Sequence, residues 1–220
     1  ILKDVRKRGD AALYDYAEKF DGVRLDTLQV DPSETERAFE DADHSLVKAM
    51  ELAAENIARF HEQQNMSTPV LDTSPGVRCW QRSMPIEKVG IYVPGGTAPL
   101  LSSLLMLAIP AQLAGCETIV VCSPPDGSGN IHPSILAAAH IAGIRIIFKA
   151  GGAQAVAAMG YGTETIPQVY KIFGPGNRYV TMAKQKISLS GVAIDMPAGP
   201  SEVAVIADEQ ADPESVAWDL

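Results

Sequence analysis

The chain has 220 residues, 46% of them hydrophobic and 20% charged, with a net charge of -9 and a pI near 4.9. That suits a globular protein with a sizeable core, and the acidic balance argues against nucleic-acid or anionic-membrane partners, which need clustered Lys and Arg. No apolar run reaches the roughly 18 residues of a membrane span; the longest, 100–109, is interrupted by Ser102 and Ser103 and closed by Pro110. Three cysteines (Cys79, Cys116, Cys122) without a C-x-x-C pair point away from disulfides or a thiolate zinc site and towards a reducing cytoplasm.

Residues 1–63 carry helical signals. Arg6-Lys7-Arg8 before Gly9 marks a helix C-terminus, where basic side chains complement the dipole. Asp10 opens a second helix that runs to Phe20 and closes at Asp21-Gly22. Asp31-Pro32-Ser33 starts a short helix. Asp43 caps a longer one, in which Leu46, Met50, Ala53, Ile57 and Phe60 form an apolar stripe. Pro69, Pro75 and Gly76 make 65–76 a loop, and 77–82 alternates as a strand.

From Lys88 the pattern changes. Short β-branched strands are predicted at 89–93, 118–122, 145–148 and 169–173, with helices at about 99–114, 133–142, 153–160 and 177–189. This alternation predicts an α/β fold with a doubly wound, Rossmann-like parallel sheet. A last strand is expected at 203–207, and Asp212-Pro213 opens a final helix. Position 1 is Ile and that last helix makes barely two turns by Leu220, so the expectation is a piece of a longer protein.

In an open parallel sheet, ligands sit outside the carboxyl ends of the strands. Three loops there are glycine-rich: Tyr92-Val93-Pro94-Gly95-Gly96, Gly151-Gly152-Ala153-Gln154-Ala155 and Phe173-Gly174-Pro175-Gly176-Asn177. Each feeds a helix N-terminus, where backbone N–H groups favour anions. No G-x-G-x-x-G or P-loop is present, and tight βα turns use glycine for their own sake, so both readings stand. Asn177 reads as an N-cap, Gln154 as a surface amide or a site residue, and Tyr92 as packing or a ring for a ligand. His44, His61, His132 and His140 lack metal-ligand spacing. Asp195 and Glu202 read as turn and strand-end residues, with a functional pair as the alternative.

Those three loops, together with Asp195-Met196-Pro197-Ala198-Gly199-Pro200-Ser201-Glu202, Cys122-Ser123-Pro124-Pro125 and Gly162-Thr163-Glu164, resemble the histidinol dehydrogenases in order and spacing over nearly the whole chain. The resemblance implies a homodimeric enzyme that oxidises L-histidinol to L-histidine through the aldehyde, with two hydride transfers to two NAD molecules and a zinc ion. It implies that Tyr92, Gln154 and Asn177 contact NAD and that Ser201 contacts substrate. The zinc ligands and the Glu-His base pair of the family fall beyond Leu220, so neither a metal ligand nor a catalytic residue is expected here, and the isolated chain is expected to be inactive. The implied domains are 1–89 (part of a first α/β domain), 90–200 (the Rossmann-like, NAD-contacting domain) and 201–220 (a return into the first). The alternatives are a paralogous zinc/NAD alcohol dehydrogenase with another substrate, a catalytically idle nucleotide-binding module, and a phosphate-handling transferase. The last would need Lys or Arg within the glycine loops; Lys149 and Arg178 only flank them.

Overall fold

A computed structural model describes residues 1–64, 69–95, 99–197 and 204–219. Five strands form one parallel sheet: β3 (Lys88–Tyr92), β4 (Thr118–Ser123), β5 (Ile146–Lys149), β6 (Lys171–Phe173) and β7 (Ala193–Ile194), in the order β5-β4-β3-β6-β7. Registers such as Ile91 opposite Val121 and Phe173 fix their alignment. Strand order reverses between β3 and β6, and such a reversal opens a crevice at the carboxyl ends of the strands.

The sheet is covered on both faces, which is why its strands are continuously apolar rather than alternating. Val89, Ile91 and Val93 pack with Val121 and Ile147 into one core. That side carries α3 (Pro32–Glu40), α4 (His44–Glu62), α5 (Leu101–Leu113) and α6 (Pro133–Ile141). Tyr92, Cys122, Phe148 and Ile172 face the other core. There lie α1 (Leu2–Arg8), α2 (Asp10–Tyr16), α7 (Gly152–Tyr161) and α8 (Arg178–Ser188). Helix α7 is buried from Ala153 to Gly160, and its run of alanines and glycine lets its backbone sit close to the sheet.

The N-terminal segment is tied to the sheet unit at two places. Residues 28–30 run antiparallel beside β5, with Val30 N–H donating to Ile147 O and Lys149 N–H to Leu28 O, so the sheet edge is capped. At the second place, the Glu164 carboxylate accepts the Asp10 N–H at 2.7 Å and so caps α2 from 154 residues away. Gly9 is required at this contact: its φ is +55, and a Cβ there would lie 2.0 Å from Glu164 Oε2. The Gly162-Thr163-Glu164 motif is thereby explained as a clasp.

Three expectations are corrected. The segment 65–76 is not all loop: β1 (Leu71–Ser74) pairs antiparallel with β2 (Val77–Cys79), a hairpin turning at Pro75-Gly76. Residues 204–207 form no strand; the fifth strand is β7, whose two residues are too short for a periodicity signal. The second helix does not run regularly to Phe20: after Tyr16 it widens into a π-helical turn, Ala17–Asp21, ended by Gly22 at φ 71. The final helix, α9 (Pro213–Asp219), starts at Pro213 as expected. Among the described residues, no helix is long and apolar enough to cross a membrane.

Candidate functional site

A cavity of about 950 Å³ opens at the carboxyl edge of the sheet. The ends of β3 and β4 and the starts of α6, α7 and α8 surround it, and Phe20 and Asp21 of the π-helical turn form part of its wall. All three side chains singled out from the glycine loops reach it: Tyr92, Gln154 and Asn177.

Each is held by local structure. Tyr92 ends β3 and points opposite to Ile91 and Val93, as the strand alternation requires. Its ring is 4% exposed, and its hydroxyl accepts the Gly152 N–H at 3.0 Å. The phenol thus braces β3 against the start of α7, and burial pushes its pKa up although the Gly152 bond opposes this. Packing and cavity wall are therefore one role. Gln154 is not a surface amide: it is 4% exposed in the first turn of α7 and lines the cavity. Asn177 caps α8, its Oδ1 accepting from Tyr179 N–H at 2.9 Å and Val180 N–H at 3.2 Å. Its amide nitrogen has no hydrogen-bond partner among the described residues. Ser201 and Glu202 lie outside the described residues, as does Gly96.

The loop after β6 is locked by a pair of residues that the sequence reading did not join. Asp195 Oδ2 accepts the Gly174 N–H at 2.8 Å, and Lys184 Nζ donates to Gly174 O at 2.8 Å while pairing with Asp195 Oδ1. Lys184 is buried, so this ion pair works where water screens it little. Gly174 has φ +128, and a Cβ there would lie 2.1 Å from Tyr92 O. Only glycine lets the β6 loop pass so close to the end of β3. Asp195 and Lys184 stand eleven residues apart on different elements, a spacing that carries no periodic signal.

The charge of the cavity is negative. Asp21 and Asp126 line it, and no Lys or Arg does so among the described residues. Asp126 Oδ1 is engaged by its own turn, accepting from Ser128 N–H and Asn130 N–H. Asp21, read from sequence only as a helix end, has no hydrogen bond or ion pair with any described residue, and burial raises its carboxyl to about 6. The Ser123 hydroxyl is also a lining group, fully buried and unpartnered among the described residues. The sequence did hold one signal for Asp21: a carboxylate at a helix C-terminus opposes the dipole, so stability does not favour it there.

Three of the four histidines make structural contacts. His132 caps α6 through Ser134, His140 stacks on Phe39 with ring centroids 4.6 Å apart, and His61 bonds Gln64. Among the described residues, no three His, Cys, Asp or Glu side chains gather as a metal site.

The histidinol dehydrogenase family model matches residues 1–220. The histidinol dehydrogenase of Bacteroides fragilis (strain ATCC 25285) is 57% identical over 220 residues, covering 100% of this chain and 51% of that protein. That of Escherichia coli (strain K12) is 50% identical over 222 residues, covering 100% of this chain and 50% of that protein. The crystal structure of histidinol dehydrogenase from Elizabethkingia anophelis superposes with a TM-score of 0.91 at 52% identity, over 99% of this chain and 50% of that one. The chain spans about half the length of the relatives it matches.

Proposed function

The chain belongs to the histidinol dehydrogenase family, and on that premise we propose that it is the NAD-contacting half of an enzyme that oxidises L-histidinol to L-histidine through the aldehyde. The observation that carries this is the convergence of Tyr92, Gln154 and Asn177 on one cavity at the carboxyl edge of a doubly wound sheet. A dinucleotide fits the cavity's chemistry: it offers a wall of proline and tyrosine for rings, two helix N-termini for phosphates, and the unpartnered Ser123 hydroxyl. Bound there, NAD would accept hydride. The chain's own part is to bind and orient it: the buried Tyr92 ring gives a flat surface, the Gln154 amide a donor and acceptor, and Asn177 its free amide N–H groups.

Zinc is different. Its ligands, and the base that takes the alcohol proton, are assigned by the family resemblance to the part of the protein outside this chain. Ser201 is assigned to substrate contact, residues 90–200 to the NAD-contacting domain, and 1–89 with 201–220 to the first domain. The assembly is read as a cytoplasmic homodimer without nucleic-acid or membrane partners. By itself the 220-residue chain is expected to have no turnover.

The test is NADH formation by the full-length protein with zinc and L-histidinol. Two NADH per histidinol support the reading; NADH only from another alcohol moves the substrate to that of a paralogue. If Gln154→Ala and Asn177→Ala both leave the Michaelis constant for NAD unchanged, the cofactor residues are misassigned.

A further inference from the structure

Asp21 stands where the fold gains nothing from a carboxylate. It is the last residue of the π-helical turn Ala17–Asp21, so it meets the negative end of the helix dipole. It is partly buried, it has no hydrogen bond or ion pair with any described residue, and it lines the cavity. The π-helical turn that ends this helix also brings Phe20 to the cavity wall. An unpaired, desolvated carboxylate in a cleft is itself a mark of function.

The neighbouring polar groups narrow what it could hold. Tyr92 hydroxyl already receives the Gly152 N–H, Asp126 holds its own turn, and His132 caps α6. Among the described residues that line the cavity, only Asp21 is a charged acceptor with both oxygens uncommitted. A ribose diol offers it two O–H donors and no charge. A 2′-phosphate would bring negative charge beside it, in a cavity where no described Lys or Arg could offset the repulsion. In dinucleotide-binding folds an acidic residue does this from the end of the second strand; Asp126 stands near that place here but is engaged.

We propose that Asp21 accepts the ribose diol of the bound dinucleotide and selects NAD against its 2′-phosphorylated form. This rests on the NAD reading above and deepens it. The other titratable side chains lining the cavity are Tyr92, Asp126, His132 and Tyr179, while Glu18 of the same turn is paired with Arg24 and Lys19 lies over the Phe20 ring.

The experiment is calorimetric titration of NAD and NADP into the full-length protein and its Asp21→Asn, Asp126→Asn and Gln154→Ala variants, at pH 7.5 and 5. The wild type is expected to prefer NAD, and Asp21→Asn to lower NAD affinity about tenfold, as for one lost charge-assisted hydrogen bond, while NADP gains. Wild-type NAD affinity should fall towards pH 5 and that of Asp21→Asn should not, which separates Asp21 from His132. An unchanged nucleotide preference and pH response in Asp21→Asn, with NAD binding lost in Gln154→Ala, overturns the role of Asp21 and leaves the NAD site standing. Collapse of the preference in Asp126→Asn instead also overturns it. If the wild type binds neither nucleotide, both readings fall.

Discussion

Residues 88–194 and the segments beside them treat apolar side chains in opposite ways. In the sheet unit, Val89, Ile91, Val121, Ile147, Phe148 and Ile172 are buried between two helical layers. In 69–87, by contrast, Val70, Leu71, Val77, Trp80 and Met84 are exposed, and the hairpin is held by its own short ladder and an exposed Arg78–Asp72 pair. Such surface pairs add little. In 204–219, Ile206 and Trp218 are exposed as well. Most of the cavity wall therefore rests on the part of the chain whose geometry is enforced by burial, and small changes there should be felt far more than large changes in the hairpin.

Gly174→Ala is the strongest way to break that contrast. The new Cβ would meet backbone, not a flexible side chain, at a φ that an L-residue rarely adopts. We expect a stability loss of roughly 3 kcal/mol or more, together with loss of NAD affinity, because the β6 loop and the end of β3 must separate. Chemical denaturation and titration with NAD check both. A variant of native stability would mean that the loop has room to move.

Lys184→Met should come next. It leaves the partly buried Asp195 with only the Gly174 N–H, and breaking one side of such a pair is expected to cost about 2–3 kcal/mol. Adding Asp195→Asn should recover part of this loss, since the uncompensated charge is removed with it. Strictly additive losses in the double-mutant cycle would show that the two side chains are not coupled.

The sheet unit was legible because its signals are local and repeated: β-branched runs, alanine-rich helices and glycine turns set strand and helix positions to within a few residues. That Tyr92, Gln154 and Asn177 reach one edge was legible for the same reason, each lying near the junction of a strand and a helix start. The clasp of Glu164 on Asp10 and the Lys184–Asp195–Gly174 lock were not, because they join residues across different elements. Asp21 reads as a helix end because Asp-Gly ends helices in many proteins; only its surroundings show that the carboxylate has no hydrogen-bond or ion-pair partner among the described residues. Strand β7 was missed at two residues, and the hairpin was hidden behind Pro75-Gly76, which reads equally as loop.

The two contrasting carboxylates, Asp21 and Glu164, give opposite pH slopes. Folding raises the Asp21 pKa from 3.8 to about 6, so stability is whole below about pH 4 and is lost as pH rises through 6. Asp21→Asn removes that loss and should be more stable at pH 7 by about 1 kcal/mol, after discounting for the solvent that still reaches the side chain. Glu164 is held below its usual range by the Asp10 N–H, so its contribution is present above pH 4.5 and is lost as pH falls further. Thermal melts of the wild type and Asp21→Asn from pH 4 to 7 check the first slope; parallel curves would mean that Asp21 is solvated or paired in solution.

The smallest expected effect tests the other side of the comparison. Trp80 is 65% exposed and follows directly on β2, so Trp80→Ser removes a large ring that little of this chain covers. Surface changes without a buried partner fall within about 0.5 kcal/mol, and that is the expected shift for the 220-residue chain, with NAD affinity unchanged because the cavity wall includes no residue of 69–87. The same substitution in the full-length protein is the informative control. An equally small shift there would make the hairpin a solvated arm, whereas a loss of about 2 kcal/mol or more, the scale of an uncovered aromatic side chain, would show that the ring is buried by something outside these residues. In that case the apolar side chains of 69–87 belong to a core that this chain alone does not complete, and their exposure here measures what is missing rather than what is dispensable.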